Sequence, residues 1–284
     1  MKISFICCIL ETVMKYIDRI KSRIYLSPLY DLFGKRSYAQ SGEDIISWLE
    51  IKNSRTQEIK KSRQTESKGF YVDIGAYHPK LFSNTYLFYK KGWRGICVDP
   101  NPRMEELYRK ARPRDVFVNV GVGDVDGVRL PRFGVPKLAM TNEKASKVTE
   151  MEYYMFEDGA ANTFSAEQAR KNQEVGRKLI GKRTVAVLPL EKILEKYLPK
   201  GQKIDLLSVD VEGMDLEVLK SNDWKKYRPK MVICEDLAFD LDKWMRRLRG
   251  KREGFGVGEF LMEKGYRLTA KTPYSLIFKR KTVE

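Results

Sequence analysis

Residues 70–101 constrain this chain more than any other stretch. They read Phe70-Tyr-Val-Asp73-Ile-Gly75-Ala-Tyr-His-Pro79, then Ser83-Asn84-Thr85, then Gly92-Trp-Arg-Gly-Ile-Cys-Val-Asp99-Pro100-Asn101. An apolar strand runs into an acid and a glycine turn. A short helix follows, and a second apolar strand again ends in an acid. This is a β-turn-α-β unit, and open α/β sheets bind nucleotide-like ligands at such strand tips. An acid after the second strand can hold the two hydroxyls of a ribose, while the glycine turn lets the backbone come close to a ligand.

The 284-residue chain is 42% hydrophobic, enough for one large domain with additions. The formal net charge is +16. That balance suits nucleic acid, an anionic membrane or an acidic substrate, and equally a solvated Lys/Arg surface, since the basic residues are spread along the chain. Four cysteines (Cys7, Cys8, Cys97, Cys234) show no metal-site spacing and read as buried thiols of a reducing compartment, so the expected location is cytoplasmic. The apolar run Ile3–Leu10 is far shorter than the roughly 20 residues of a membrane span. It continues at helical spacing through Val13, Ile17 and Ile20. Residues 1–37 are therefore read as an amphipathic helical arm, packed on the domain or a partner, or lying on a membrane surface. Residues 38–284 form the main domain, with an insertion at about 134–185.

The pattern predicts an N-capped helix from Ser41, with Lys52–Lys68 a loop or frayed end. Strands follow at Gly69–Ala76, Arg94–Val98, Asp115–Gly121, Ile204–Val209 and Met231–Cys234. Helices are expected from Ser83 to Tyr89, stopped by Gly92, and then over 102–110, 165–179, 188–197 and from Asp215. Val128–Phe133 reads as a hairpin return, and 136–161 has no readable period. Tyr266–Thr269 and Tyr274–Phe278 lack a helix between them and should pair antiparallel. Strands alternating with helices make an α/β, doubly wound, mostly parallel sheet.

Only Gly75 is present where a dinucleotide fingerprint needs three glycines, so nicotinamide and flavin cofactors are disfavoured. A ligand without phosphates needs fewer glycines, and S-adenosylmethionine is one. Together with Asp210-Val-Glu212-Gly213 at a later strand tip, these residues make the chain resemble the FkbM-type family of S-adenosylmethionine-dependent methyltransferases. The matching stretches are 38–44, 72–79, 83–89, 92–95, 98–101, 162–164 and 207–213. The resemblance implies a class I methyltransferase, Rossmann-like fold: a seven-stranded sheet whose final strand is antiparallel. It also implies O-methylation. By position, Asp73, Gly75, Ala76 and Tyr77 would serve the methionine end of the cofactor. Asp99 and Pro100 would serve the ribose, and Asn119 to Gly121 the adenine. Asp210 and Glu212 would face the methyl group and the acceptor. Tyr77 departs from the wider methyltransferase pattern, where a glycine is common.

An alcohol acceptor must lose a proton as it attacks. The candidate bases are His78, Asp210 and Glu212. His78 is the only histidine, and its ordinary pKa of about 6.5 suits proton transfer; otherwise it orients the turn before Pro79. Asp210 and Glu212 could bind the cofactor or acceptor, accept a proton, or cap the next helix. Two carboxylates without a further ligand are poor grounds for a metal, and none is expected. Ser83 caps a helix; Asn84 and Thr85 are candidates for ligand contact. Asn162 and Thr163 belong to a site wall or to a surface loop. The expected function is methylation of an oxygen on a small molecule or sugar. RNA methylation through the basic surface and a non-catalytic S-adenosylmethionine-binding module are the alternatives.

Overall fold

The computed structural model describes residues 37–62, 68–124, 149–236, 239 and 256–281. The helical arm expected over 1–37, apart from its last residue, and the hairpin return expected at 128–133 lie outside the described residues. Helix α1 (Glu43–Ser62) opens the described chain. Then come β1 (Phe70–Ile74), α2 (Tyr86–Lys90), β2 (Arg94–Val98), α3 (Arg103–Ala111), β3 (Val116–Val118) and β4 (Gly121–Val122). They are followed by β5 (Thr149–Phe156), α4 (Ala166–Glu174), β6 (Leu179–Leu188), α5 (Leu190–Tyr197), β7 (Leu206–Val209) and α6 (Asp215–Lys220). The chain closes with β8 (Met231–Glu235), α7 (Val257–Glu263), β9 (Tyr266–Lys271) and β10 (Ser275–Arg280).

Seven strands form one sheet in the order β3-β2-β1-β7-β8-β10-β9. The first five run parallel, and β10 is antiparallel to both β8 and β9. This is the Rossmann-like methyltransferase sheet that the sequence led us to expect. Period-2 alternation explains its two cores. Val72, Ile74, Ile96, Val98, Leu207 and Val209 face one side, against Leu190, Ile193 and Leu194 of α5. Tyr71, Cys97, Leu206, Ile233 and Ile277 face the other, against Phe88, Trp93 and Tyr108. Both faces are covered, so these strands read as nearly unbroken apolar runs. Helix α2 has only five residues, far below the roughly 12–15 at which an isolated helix becomes marginally stable. Buried Tyr86, Phe88 and Tyr89 hold it down, and Gly92 at φ 87° ends it.

Several sequence expectations need correction. Helix α1 continues to Ser62, well into the stretch from Lys52 expected as a loop or frayed helix end. It is not capped by the Ser41 hydroxyl. The Glu43 carboxylate takes the Ser41 N–H (2.8 Å), and Asp44 takes the Ser37 hydroxyl (2.6 Å) and the Tyr38 N–H (2.7 Å). The strand expected over 115–121 breaks at Asn119, because β4 leaves the main sheet to pair with β6. The insertion is not shapeless: β4, β6 and β5 make a second, three-stranded sheet, and the expected helix to Leu179 ends at Glu174. Alternating exposed residues along β6 hide it from a search for apolar strands. Helix α7 was not anticipated. No helix among the described residues is long and apolar enough to cross a membrane.

Candidate active site

Strand order reverses between β1 and β7, the switch point at which crevices open beyond the carboxyl ends of parallel strands. A cleft lies there, with about 470 Å³ of unfilled space including its open mouth. Gly75 forms its floor after β1. A Cβ on Gly75 would sit 1.7 Å from the Asp210 carbonyl oxygen, and its φ is 76°, so only glycine lets β1 and β7 tips approach this closely. Tyr77, where a glycine was the commoner choice, has φ 39° and lines the same cleft. A tyrosine there carries the left-handed strain that a glycine would avoid.

Asp99 and Pro100 line the next wall. The Asp99 carboxylate receives the Tyr77 N–H at Oδ2 (2.9 Å) and the Asn101 N–H at Oδ1 (2.8 Å). Burial pushes its pKa up to about 6, against those two bonds. Val98, Val120 and Val122 give an apolar side. Gly121 packs under Phe164, where a Cβ would come within 2.6 Å of the ring. Asn119 does not line the cleft; its Nδ2 donates to the Asp99 carbonyl (2.7 Å) and so braces the β2 tip.

The second sheet supplies the opposite wall. Asn162, Thr163 and Phe164 line the cleft together with Tyr153 of β5. The Thr163 hydroxyl donates to the Glu212 carbonyl (2.8 Å), and Asn162 Oδ1 accepts the Phe156 N–H (2.7 Å). Glu212 has φ 53°, a strained backbone for a non-glycine residue at a strand tip.

Asp210 and Glu212 face the cleft as expected, and the structure adds a third carboxylate. Oxygens of Asp210, Glu212 and Glu235 lie within 4.8 Å of one another. No hydrogen bond reaches these three carboxylates from the described residues. Burial, then the charges of Asp73 and Glu43, push Asp210 up to about 7. Burial and Asp210 push Glu212 up to about 7, with Arg177 opposing. Burial, then Asp210, Glu212 and Asp215, push Glu235 up to about 10. The group can accept protons near neutrality, and three carboxylates at this spacing are also a donor set for a divalent cation. Glu235 is legible in sequence as an acid ending a strand; only the β7–β8 pairing brings it to Glu212.

Other expected residues lie elsewhere. His78 is outside the cleft, with Nδ1 accepting the N–H groups of Lys80 (3.2 Å) and Leu81 (3.0 Å). Burial and Lys80 push it down to about 4, so it stays neutral and orders the turn. Asp73 is buried behind the cleft and accepts from the Thr85 hydroxyl. Asn84 Nδ2 donates to Ser208 Oγ (3.1 Å), and neither Asn84 nor Thr85 lines the cleft. Ser83 Oγ takes the N–H groups of Thr85 (3.3 Å) and Tyr86 (3.1 Å) in the turn ahead of α2; the N-cap position itself is Thr85, which makes no side-chain cap, so the cap expected at Ser83 is not formed. Ala76 is buried, its carbonyl accepting from the Tyr108 hydroxyl (2.8 Å).

No match was found among curated proteins or among solved structures. The family model for the methyltransferase FkbM domain matches residues 73–268, from the tip of β1 into β9 and more than two thirds of the chain. The chain therefore belongs to the FkbM methyltransferase family.

Proposed function

We propose that the protein transfers a methyl group from S-adenosylmethionine to a hydroxyl of a small molecule or sugar. One observation carries this reading: the cleft at the switch point joins Asp99, the Gly75 turn and the Asp210–Glu212 pair in a single space. These residues fit the cofactor. The Asp99 carboxylate oxygens each accept one backbone N–H and retain lone pairs for ribose hydroxyls. Val98, Val120, Val122 and Phe164 offer apolar contact to a purine. The Gly75 turn leaves the backbone open to the methionine end. When bound, S-adenosylmethionine supplies a methyl group already activated by its sulfonium.

The protein's own tasks are then alignment and proton removal. Glu212 and Asp210, both held near 7, share the duty of accepting the hydroxyl proton. Glu235, pushed up to about 10, stays protonated and can donate a hydrogen bond within the group. His78 has its Nδ1 engaged by two backbone N–H groups, and we assign it to the turn instead of the chemistry. A cytoplasmic location and a hydroxylated acceptor remain part of the same proposal.

Titration calorimetry with S-adenosylmethionine tests the reading. Saturable binding by the wild-type chain and its loss in Asp99→Ala are expected. Equal affinity of the two would remove the ribose assignment. No binding by wild type at millimolar cofactor would overturn the function.

A further inference from the structure

Arg112 is the largest side chain that the structure buries completely, and the chemistry proposed above does not use it. It follows the last residue of α3, and its side chain is 0% exposed. A buried guanidinium is costly unless every donor is satisfied. Nε donates to Asp115 Oδ2 (2.7 Å). The Tyr71 hydroxyl (2.7 Å) and the Gly95 N–H (2.9 Å) bind the same Asp115 carboxylate. Rings of Tyr71, Tyr89 and Tyr108 surround the guanidinium carbon at 5.3, 5.4 and 5.1 Å. Asp115 would satisfy a cation present only for stability.

The other two nitrogens reach instead towards the segment after β1. Nη1 donates to the Pro79 carbonyl and to Ser83 Oγ (3.3 Å each). Nη2 donates to Thr85 Oγ1 (2.9 Å). Arginine has no acceptor, so the Thr85 oxygen must accept from it. The single Thr85 proton is then free for Asp73 Oδ2, which accepts it. A hydrogen bond donated to a carboxylate favours its charged form, as does a cation nearby. Both effects, together with a hydrogen bond from the Ser208 side chain, oppose the burial that pushes Asp73 up.

We propose that Arg112 is a positioning residue: through the Thr85 hydroxyl it favours the anionic form of Asp73 behind the cleft and ties the 76–85 turn in place. The proposal rests on the cofactor reading only for what the anion is used for. The charged groups facing Asp73 are Arg112 and Asp115 from the α3–β3 corner, Asp99 from β2 and Asp210 from β7. Cys97 and Tyr108 also face it, and burial pushes both thiol and phenol well up, so they stay neutral.

The test uses the full chain labelled with carboxyl-13C aspartate and free of cofactor, the Asp73 signal being identified by its loss in Asp73→Asn. The Asp73 titration midpoint should rise by on the order of one pH unit or more in Thr85→Val and in Arg112→Lys. It should return towards wild type in Thr85→Ser, which restores the hydroxyl. Calorimetry on the same samples should show S-adenosylmethionine affinity at pH 7 reduced about tenfold or more in Thr85→Val, with a smaller loss at pH 9. An unchanged midpoint in a Thr85→Val protein that still unfolds cooperatively overturns the relay, as does an equal affinity loss at both pH values. Should Arg112→Lys fail to fold, the Thr85→Val and Thr85→Ser pair decides. A shifted midpoint in a chain whose wild type binds no cofactor would keep the relay and sink the cofactor reading, so the two failures are distinguishable.

Discussion

Two pairs of acidic strand tips look alike in sequence and differ in what surrounds them. At the tips of β1 and β2, Asp73 and Asp99 each accept hydrogen bonds from the chain itself: Thr85 and Ser208 for one, Tyr77 and Asn101 for the other. At the tips of β7 and β8, Asp210, Glu212 and Glu235 crowd together with no such bonds from the described residues. Hydrogen bonds fix the geometry of Asp73 and Asp99 and oppose the burial that raises both, which suits binding. Crowded, unbonded carboxylates hold protons near neutrality, which suits proton transfer. On the proposed function, local donors, not residue type, would divide binding from chemistry around this cleft.

The largest expected effect comes from the glycine where the two halves meet. Gly75→Ala puts a methyl group against the Asp210 carbonyl at positive φ, and should cost about 3 kcal/mol or more of stability in urea unfolding. A loss under about 1 kcal/mol would mean the tips can separate. Next, Asp99→Ala should weaken S-adenosylmethionine binding about a hundredfold, whereas Asp210→Asn and Glu212→Gln should lower kcat by about 10²–10⁴ with cofactor affinity little changed. Should Asp210→Asn abolish binding instead, the division of labour fails.

The pH dependence sharpens the same contrast. A general base held at about 7 makes wild-type kcat fall as pH drops through 7, and the Glu212→Gln profile should flatten or shift. Stability should move the other way. The folded pKa of Glu212 lies above its unfolded value, so this carboxyl favours folding below the unfolded pKa and loses that contribution as pH rises through about 7. Glu212→Gln should therefore melt higher than wild type at pH 8 and alike at pH 4; a lower midpoint at pH 8 would show a bonded, ionised Glu212. The smallest effect is expected at His78→Asn, with kcat within about tenfold of wild type and an unchanged pH profile, since general-base loss typically costs about 10²–10⁴.

Much of the architecture was legible because its causes are local. The apolar runs of β1, β2, β7 and β8, the glycine stop of α2, and the acids at the tips are written in short stretches. The insertion was not, since β6 is half exposed and gains its identity only by pairing with β4 and β5. His78 and Asp73 show the same limit within the site. Both looked like cleft residues from their place in the motif, yet each turns its polar atoms to the chain.

The sequence by itself determined the doubly wound sheet, the glycine turn, the two pairs of acidic tips and the resemblance to the FkbM family. All of these follow from periodicity, turn chemistry and motif order along a few residues. Only the tertiary structure decided that Glu235 joins Asp210 and Glu212, that the 162–164 segment walls the cleft, and that Arg112 reaches Thr85 from 27 positions along the chain. Those outcomes depend on strand order and on which buried polar groups must find partners, and no single stretch of chain carries either.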